Sequence, residues 1–249
     1  MNLSAVIISK NSEATIRKTL ESLRDFDDVI VYDNGSTDHT ISIAQKFKNV
    51  NLIEGEFKGF CWTKNQAASF AKHDWILSID SDETIDEELN HTFKTKSLDL
   101  NTVYLVSFNN FYKKRKIRYC GWSNQKTKRV YNKRITSYNG KEVHEDIIAN
   151  NMKIELLNGH GNHYSYHSLS QFILKADRYS TLFAQENAGK RKSSPIYAIS
   201  NGVFSFFKTY ILKFGFLDGY MGLVIAFSHM VTNFFKYMKL YELNKKSNI

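Results

Sequence analysis

Short apolar runs alternate with stretches of helical period over the first hundred positions, each strand–helix unit taking about 25 residues. Residues 3–8 (Leu-Ser-Ala-Val-Ile-Ile) predict a buried strand, residues 28–33 a second and residues 51–54 a short third. Trp75-Ile76-Leu77-Ser78-Ile79 predicts a fourth, running into Asp80-Ser81-Asp82-Glu83. Between them Ile16, Leu20 and Leu23 share one helical face, with Ser12 as the expected cap. A second helix is expected from Thr37 to Phe47, with Ile41, Ala44 and Phe47 inward, and a third near Thr63 to Ala71. Repeated strand–helix units call for an α/β fold whose sheet is mostly parallel, with right-handed crossovers and helices on both faces. No Gly-x-Gly-x-x-Gly follows the first strand, which counts against a dinucleotide site.

The pattern changes at about Val103. Val103 to Phe111 alternates as a strand and Lys126 to Tyr131 predicts another, so residues 101–168 form a more antiparallel region. Eleven Lys and Arg lie between Lys113 and Lys141, interleaved with tyrosines, and no acid occurs between Asp99 and Glu142. From Leu169 to Asn187 helical spacing returns, with Phe172, Ile173, Ala176, Tyr179 and Phe183 in register. Lys190 to Pro195 marks a break, and an aromatic-rich helical extension completes the third region, residues 169–249. Its stretch Gly219 to Phe235 has no Asp, Glu, Lys or Arg. That length, interrupted by His229, Asn233 and glycine, suits a core helix or one lying in a membrane plane better than a span.

Composition narrows the class. The chain has 249 residues, 42% hydrophobic and 24% charged, as expected for a globular protein and not a disordered one. Two cysteines, Cys61 and Cys120, are too few for a disulfide framework. The N-terminus reads as a first core strand without a basic leader, so a cytoplasmic location is expected. A net charge of +9 points to a polyanionic partner: nucleic acid, an anionic membrane surface or a phosphorylated substrate.

Candidate chemistry gathers at the strand ends, where open α/β sheets bind ligands. Ser9 and Asn11 follow the first strand, and Asp33 ends the second, before the turn Asn34-Gly35-Ser36. Lys64 and Asn65 open the helix before the fourth strand, and Asp80 and Asp82 end that strand. In extended geometry residues two apart face the same side, so Asp80 and Asp82 would converge while Ser81 turns away. Two carboxylates there suit a hard cation such as Mg²⁺ or Mn²⁺, which in turn can hold a diphosphate. Each feature also has a plain structural explanation: Asp-Asn-Gly is a good turn in any protein, and a charge run is usually a solvated face. Their conjunction on one sheet edge carries the weight.

Val6-Ile-Ile-Ser-Lys-Asn11, Val31-Tyr-Asp-Asn-Gly-Ser-Thr-Asp38 and Ile79-Asp-Ser-Asp-Glu83 resemble the three N-terminal motifs of the family 2 glycosyltransferases of GT-A fold. The later Val143-His144-Glu145, His163-Tyr-Ser-Tyr-His167 and Lys213 to Tyr220 are similar to the branch that adds β-linked glucose to heptose of the bacterial lipopolysaccharide core. The resemblance implies a nucleotide-sugar-binding half in residues 1–100, an acceptor-binding half in 101–168 and a helical extension in 169–249 that could associate with a membrane. It implies that Asp33 bonds uracil, that Ser9 and Asn11 line the nucleotide pocket, and that Lys64 lies near the ribose or diphosphate. Asp80 would meet the ribose or the metal, and Asp82 would bind Mn²⁺ or Mg²⁺ directly. His163 or His167 could add a ligand or a diphosphate contact, although a histidine in such an aromatic stretch is more often a packed one. Glu145, with Asp146 as the alternative, would be the base that deprotonates the acceptor.

The expected protein is therefore an inverting, metal-dependent hexosyltransferase that moves glucose from UDP-glucose to inner-core heptose. It would work peripherally on the inner face of a bacterial inner membrane, with no nucleic-acid partner. A capsule, glycoprotein or lipid-linked acceptor is the alternative. A basic nucleic-acid-binding module with a structural acidic motif is the reading from another class.

Overall fold

Alternation along the first strand sorts its side chains into two cores. In the computed structural model, which describes residues 2–140, 145–166 and 168–246, β1 (Leu3–Ser9) turns Leu3, Ala5 and Ile7 to one face and Val6 to the other. β2 (Val29–Asp33) and β4 (Trp75–Ser78) divide in the same way, Val29, Val31 and Leu77 on the first face and Ile30, Tyr32 and Ile76 on the second. The first face is covered by α1 (Ile16–Ser22), α2 (Thr40–Ala44) and α4 (Glu87–Thr95), which contribute Ile16, Leu20, Ala44, Leu89 and Phe93. The second is covered by α3 (Phe60–Ser69) through Cys61, Ala67 and Ala68. A strand buried on both faces reads as the continuous apolar run seen in the sequence.

The chain divides into two units, residues 1–109 with 124–164 and residues 110–123 with 165–249. The first unit is built on strands in the order β3-β2-β1-β4-β8-β6-β9-β5, adding β3 (Val50–Glu54), β5 (Glu83–Ile85), β6 (Thr102–Tyr112), β8 (Gln125–Asn132) and β9 (Lys153–Tyr166). β1 to β4 pair in parallel; β4 with β8, β8 with β6, and β5 with β9 pair antiparallel. The register Ser9↔Asp33 and the bond from Ile79 N to Val6 O bring the ends of β1, β2 and β4 to one edge.

Local details differ from expectation for identifiable reasons. Ser12 does not cap α1 with its side chain: its carbonyl accepts from Thr15 and Ile16, and its hydroxyl turns to Ser81. The second helix is reduced to Thr40–Ala44, because Asp38 is fixed outside it by Thr40 and by the Glu13 amide. α3 begins at Phe60, so Lys64 lies in its second turn and is buried. The sequence pattern did not give β5, α4 or the fourteen residues of β9. In β9, glycines replace the alternating apolar residues. Gly159 has φ +90°, and a Cβ there would stand 2.2 Å from the Leu89 backbone nitrogen; a Cβ on Gly161 would meet the Phe108 ring.

The second unit is a helical assembly. α5 (Leu169–Asn187) buries Phe172, Ala176 and Ala184, and α6 (Pro195–Phe207) buries Ala198 and Gly202. α7 (Tyr220–Lys246) buries Met221, Ile225, Ala226, Tyr237 and Leu240. Small inward residues let α6 approach closely: a Cβ on Gly202 would lie 3.2 Å from the Met230 carbonyl. A π-helical turn (Lys208–Leu212) and a 3-10 turn (Gly215–Asp218) join α6 to α7. The short β7 (Arg115–Lys116) pairs with Phe111 and Tyr112, and the loop around it is tied down by Asp218, which accepts from the amides of Arg118 and Tyr119 at 3.1 and 2.8 Å. Trp122 stacks on Tyr166 and Phe172. Among the described residues no helix is long and apolar enough to cross a membrane.

Two expectations follow. Gly159→Ala faces both a left-handed backbone and a backbone clash, and should lower the melting temperature much more than Gly140→Ala, which has a similar φ of +74° but open space and should cost about 1–2 kcal/mol. Equal losses would show that the approach to α4 is not close. In α7, burial pushes His229 down to about 4, helped by Lys213 and Lys236, while Thr209 bonds its Nδ1. A depressed histidine favours the folded state above its unfolded value near 6.5 and loses that contribution as pH falls toward 4. The melting temperature should therefore fall as pH drops through that window in wild type, and less steeply in His229→Gln.

Candidate active site

Parallel strand ends place three loops side by side, and hydrogen bonds lace them together. Asn11, in a left-handed conformation (φ 51°), accepts from the Thr37 amide at 2.8 Å and donates its own amide to Ser36 at 2.8 Å. The Asn34 amide donates to the Ser9 carbonyl at 2.8 Å, and the Ser12 amide to the Thr40 hydroxyl at 2.7 Å. Ser12 and Ser81 share a hydroxyl bond of 2.8 Å, and Thr19 donates to the Ser81 carbonyl at 3.0 Å. Ser81 is thus the strut between the first loop and the acidic motif.

The acidic motif is not extended. β4 ends at Ser78, and the Glu83 amide donates to the Asp80 carbonyl at 3.0 Å, closing a turn. Strand alternation therefore does not govern Asp80 and Asp82. Asp80 instead receives Lys64 Nζ on Oδ1 at 3.2 Å and Arg129 Nη2 on Oδ2 at 2.9 Å. The same Arg129 nitrogen bonds Glu83 Oε1, whose other oxygen accepts from the Asp80 amide at 3.0 Å. Arg129 comes from β8, is buried, and lies 5.1 Å from the centre of the Phe108 ring. Lys64 continues to Glu145 Oε1 at 2.9 Å.

Charge explains why these groups hold together. Burial alone would raise the Asp80 carboxyl, but Arg129 and then Lys64 outweigh it and hold Asp80 well below the usual carboxylate range. Burial also penalises both cations; the surrounding carboxylates overcome this and raise Lys64 and Arg129. At Glu83 burial prevails over Arg129 and raises the carboxyl.

Asp82 stands outside this cluster. Its Oδ2 lies 3.4 Å from His163 Nε2, its carbonyl accepts from the Tyr164 amide, and its Oδ1 takes no hydrogen bond from a described residue. His163 is pushed down by burial, but the bond to Asp82 more than compensates and raises it. Asp82 thus keeps a partly exposed carboxylate suited to a hard cation, whereas Asp80 already faces two cationic side chains. Asp80, Asp82 and His163 do not form a three-ligand cluster. The described group that does, Asp86, Glu88 and His160, has both Asp86 oxygens engaged by the amides of Leu89 and His160, which makes it a helix cap.

Other expected residues find different places. Asp33 is fully buried, and its oxygens accept from the amides of Gly35 and Ser36 and from the Ser36 hydroxyl. Asp33 thereby holds the turn that follows β2. Ser9 is buried, with an unpartnered hydroxyl among the described residues. Of the two candidate bases, Glu145 joins the cluster through Lys64; Asp146 is exposed and paired with Lys128 at 2.7 Å. His144 and His167 lie outside the described residues.

Sequence reasoning missed Arg129. It sat inside a basic run, and its partners are 46 and 49 residues upstream. The available signal was its position directly before Val130 and Tyr131 in a predicted strand, where an ordinary surface cation does not belong. The basic run itself is not one surface. In the first unit Lys128 and Arg134 pair with Asp146 and Asp74, and Lys133 donates to the carbonyls of Ala68 and Ala71. Lys113 to Lys116 and Arg118 are exposed in the second unit.

The family model described as Glycosyl transferase family 2 matches residues 4–155, so the chain belongs to that family and is a glycosyltransferase. It is 32% identical to an uncharacterized glycosyltransferase of Rickettsia typhi, across 98% of this chain and 88% of that one. It is 24% identical to the lipopolysaccharide core biosynthesis glycosyltransferase LpsC of Rhizobium meliloti, across 96% and 92%. Among solved structures, S. aureus TarS has a TM-score of 0.51 at 16% identity, covering 91% of this chain and 55% of that one. A TarS fragment in complex with UDP-GlcNAc has 0.50 at 16% identity, covering 100% and 92%. These likenesses establish the expected GT-A-like architecture: a mixed sheet between helices, with a helical C-terminal region.

Removing one partner of a buried ion pair strands the other charge, at about 3–5 kcal/mol. Arg129→Gln should therefore lower the first unit's stability by that order, and Glu83→Gln added to it should recover part of the loss. Losses that simply add in a thermal double-mutant cycle would show that Arg129 and Glu83 do not depend on each other.

Proposed function

We propose that this glycosyltransferase moves a hexose, with glucose from UDP-glucose the first choice, onto the heptose of lipopolysaccharide inner core. The observation that carries the proposal is Lys64, buried between Asp80 on the donor-side motif and Glu145 on the later segment. One ammonium within salt-bridge reach of both carboxylates brings a diphosphate site and a candidate base to the same place. Asp33 is assigned to hold the Asn34–Thr37 turn, with Ser9 and Asn11, against the nucleotide. Asp80 faces the ribose, and Lys64 meets the diphosphate. Asp82 would hold Mn²⁺ or Mg²⁺ through its free oxygen, with His163 orienting it. Such an ion supplies positive charge where the leaving diphosphate gains negative charge.

In the transfer, the acceptor oxygen bonds the anomeric carbon as its proton passes to Glu145. The bond from that carbon to the diphosphate oxygen breaks, its electron pair leaves with UDP, and configuration inverts. Asp146, exposed and outside the Lys64–Asp80 cluster, is the weaker candidate for the base. Similarity to a lipopolysaccharide core enzyme supports the acceptor, and TarS, solved with UDP-GlcNAc, supports a UDP-sugar donor. An acceptor built on a lipid anchor places the protein peripherally on the inner face of the inner membrane. Family membership weighs against the nucleic-acid-binding alternative.

Nucleotide release from a panel of nucleotide sugars, with Mn²⁺ or Mg²⁺ and heptose-containing core, tests the proposal. UDP release from UDP-glucose that requires the core is expected; release from GDP-mannose instead would overturn the donor assignment. Under the same conditions Glu145→Gln should lower kcat about 10²–10⁴-fold, while Asp146→Asn keeps most of it. The reverse order would move the base to Asp146.

A further inference from the structure

The net charge of +9 is unevenly shared. The second unit has sixteen Lys and Arg against four Asp and Glu, whereas the first has eighteen against twenty-one. The excess of positive charge thus belongs wholly to the helical unit.

That unit also exposes bulky apolar side chains. α6 packs on its neighbours through Ala198, Gly202 and the rings of Tyr197 and Phe206, whereas Ile196, Ile199, Val203 and Phe207 recur along its outer stripe at 78%, 54%, 58% and 48% exposure. Phe214 and Leu217, in the turns that follow, are likewise more than half exposed. Between Pro195 and Tyr220 the only acid is Asp218, which is buried and spent on the amides of Arg118 and Tyr119. The cations of the segment and its approach, Lys190, Lys192, Lys208 and Lys213, are exposed. Soluble surfaces rarely present so many large apolar groups together.

We infer that the outer face of α6 and the following turns is a docking surface for an anionic lipid bilayer, lying in its interface. Charge complementarity selects this occupant. An apolar face flanked by lysines and without an exposed carboxylate gains from acyl chains and from negatively charged headgroups together. No described helix is fit to span, so the face lies in the plane. The assignment moves the contact from the acid-free stretch 219–235, whose helix buries Met221, Ile225 and Ala226, to the helix before it. It sharpens the membrane placement proposed above and rests on that reading for the choice of leaflet.

Co-sedimentation of the full chain with vesicles needs no donor, acceptor or metal, so its failure and the failure of sugar transfer are told apart. The chain should bind phosphatidylglycerol–phosphatidylcholine vesicles, bind pure phosphatidylcholine much less, and detach as salt rises. Val203→Asn with Phe207→Asn should weaken binding about tenfold or more at an unchanged melting temperature, because neither side chain is buried. Lys192→Glu with Lys208→Glu should do the same and remove the salt dependence. The inference is overturned by a chain that ignores anionic vesicles, or by variants that bind as well as wild type. A dimer that dissociates on the apolar substitutions, without vesicle binding, would assign the face to a second copy.

Discussion

A single guanidinium buried against three neighbours holds the candidate site in shape. Arg129 bridges Asp80 and Glu83 and lies against Phe108, joining a strand of the antiparallel half to the turn that ends the parallel half. A buried cation is tolerable only with partners this close, and the carboxylates are tolerable only with the cation. The pair therefore fixes the acidic turn more than it adds stability. Lys64 extends the network to Glu145, tying the turn after β4 to the later segment.

This arrangement changes what the acidic motif can do. Two bare carboxylates beside a diphosphate would require a cation for charge balance alone. Here Arg129 and Lys64 already balance Asp80, and the open oxygen belongs to Asp82. The loops after β1 and β2 act as supports: Asn11, Ser36 and Thr37 bond one another, and Ser12 and Thr19 hold Ser81.

The parallel half was legible because a strand buried on both faces must be a continuous apolar run, and Leu3 to Ile8 and Val29 to Tyr32 are such runs. Its ends were legible because parallel strands align their carboxyl termini. β9 was not, since Gly159 and Gly161 serve the close approach of other groups and erase alternation. The relation of Asp80 to Asp82 was misjudged because a period of two was extended into residues that form a turn. Arg129 was hidden for a general reason: ion pairs between distant segments leave no local pattern. The fold divides the basic run between structural pairs in one unit and exposed charge in the other, a division that no local pattern marks.

Under the proposed function the ion that accompanies the nucleotide is drawn through Asp82, because Asp80 already faces two protein cations. Calorimetric titration of UDP onto the wild-type chain and Asp82→Asn, with and without Mn²⁺, measures this directly. The account predicts that wild type binds UDP much more tightly with the ion, and that Asp82→Asn loses this gain while remaining folded. UDP binding that ignores Mn²⁺, or a full Mn²⁺ effect in Asp82→Asn, would contradict it.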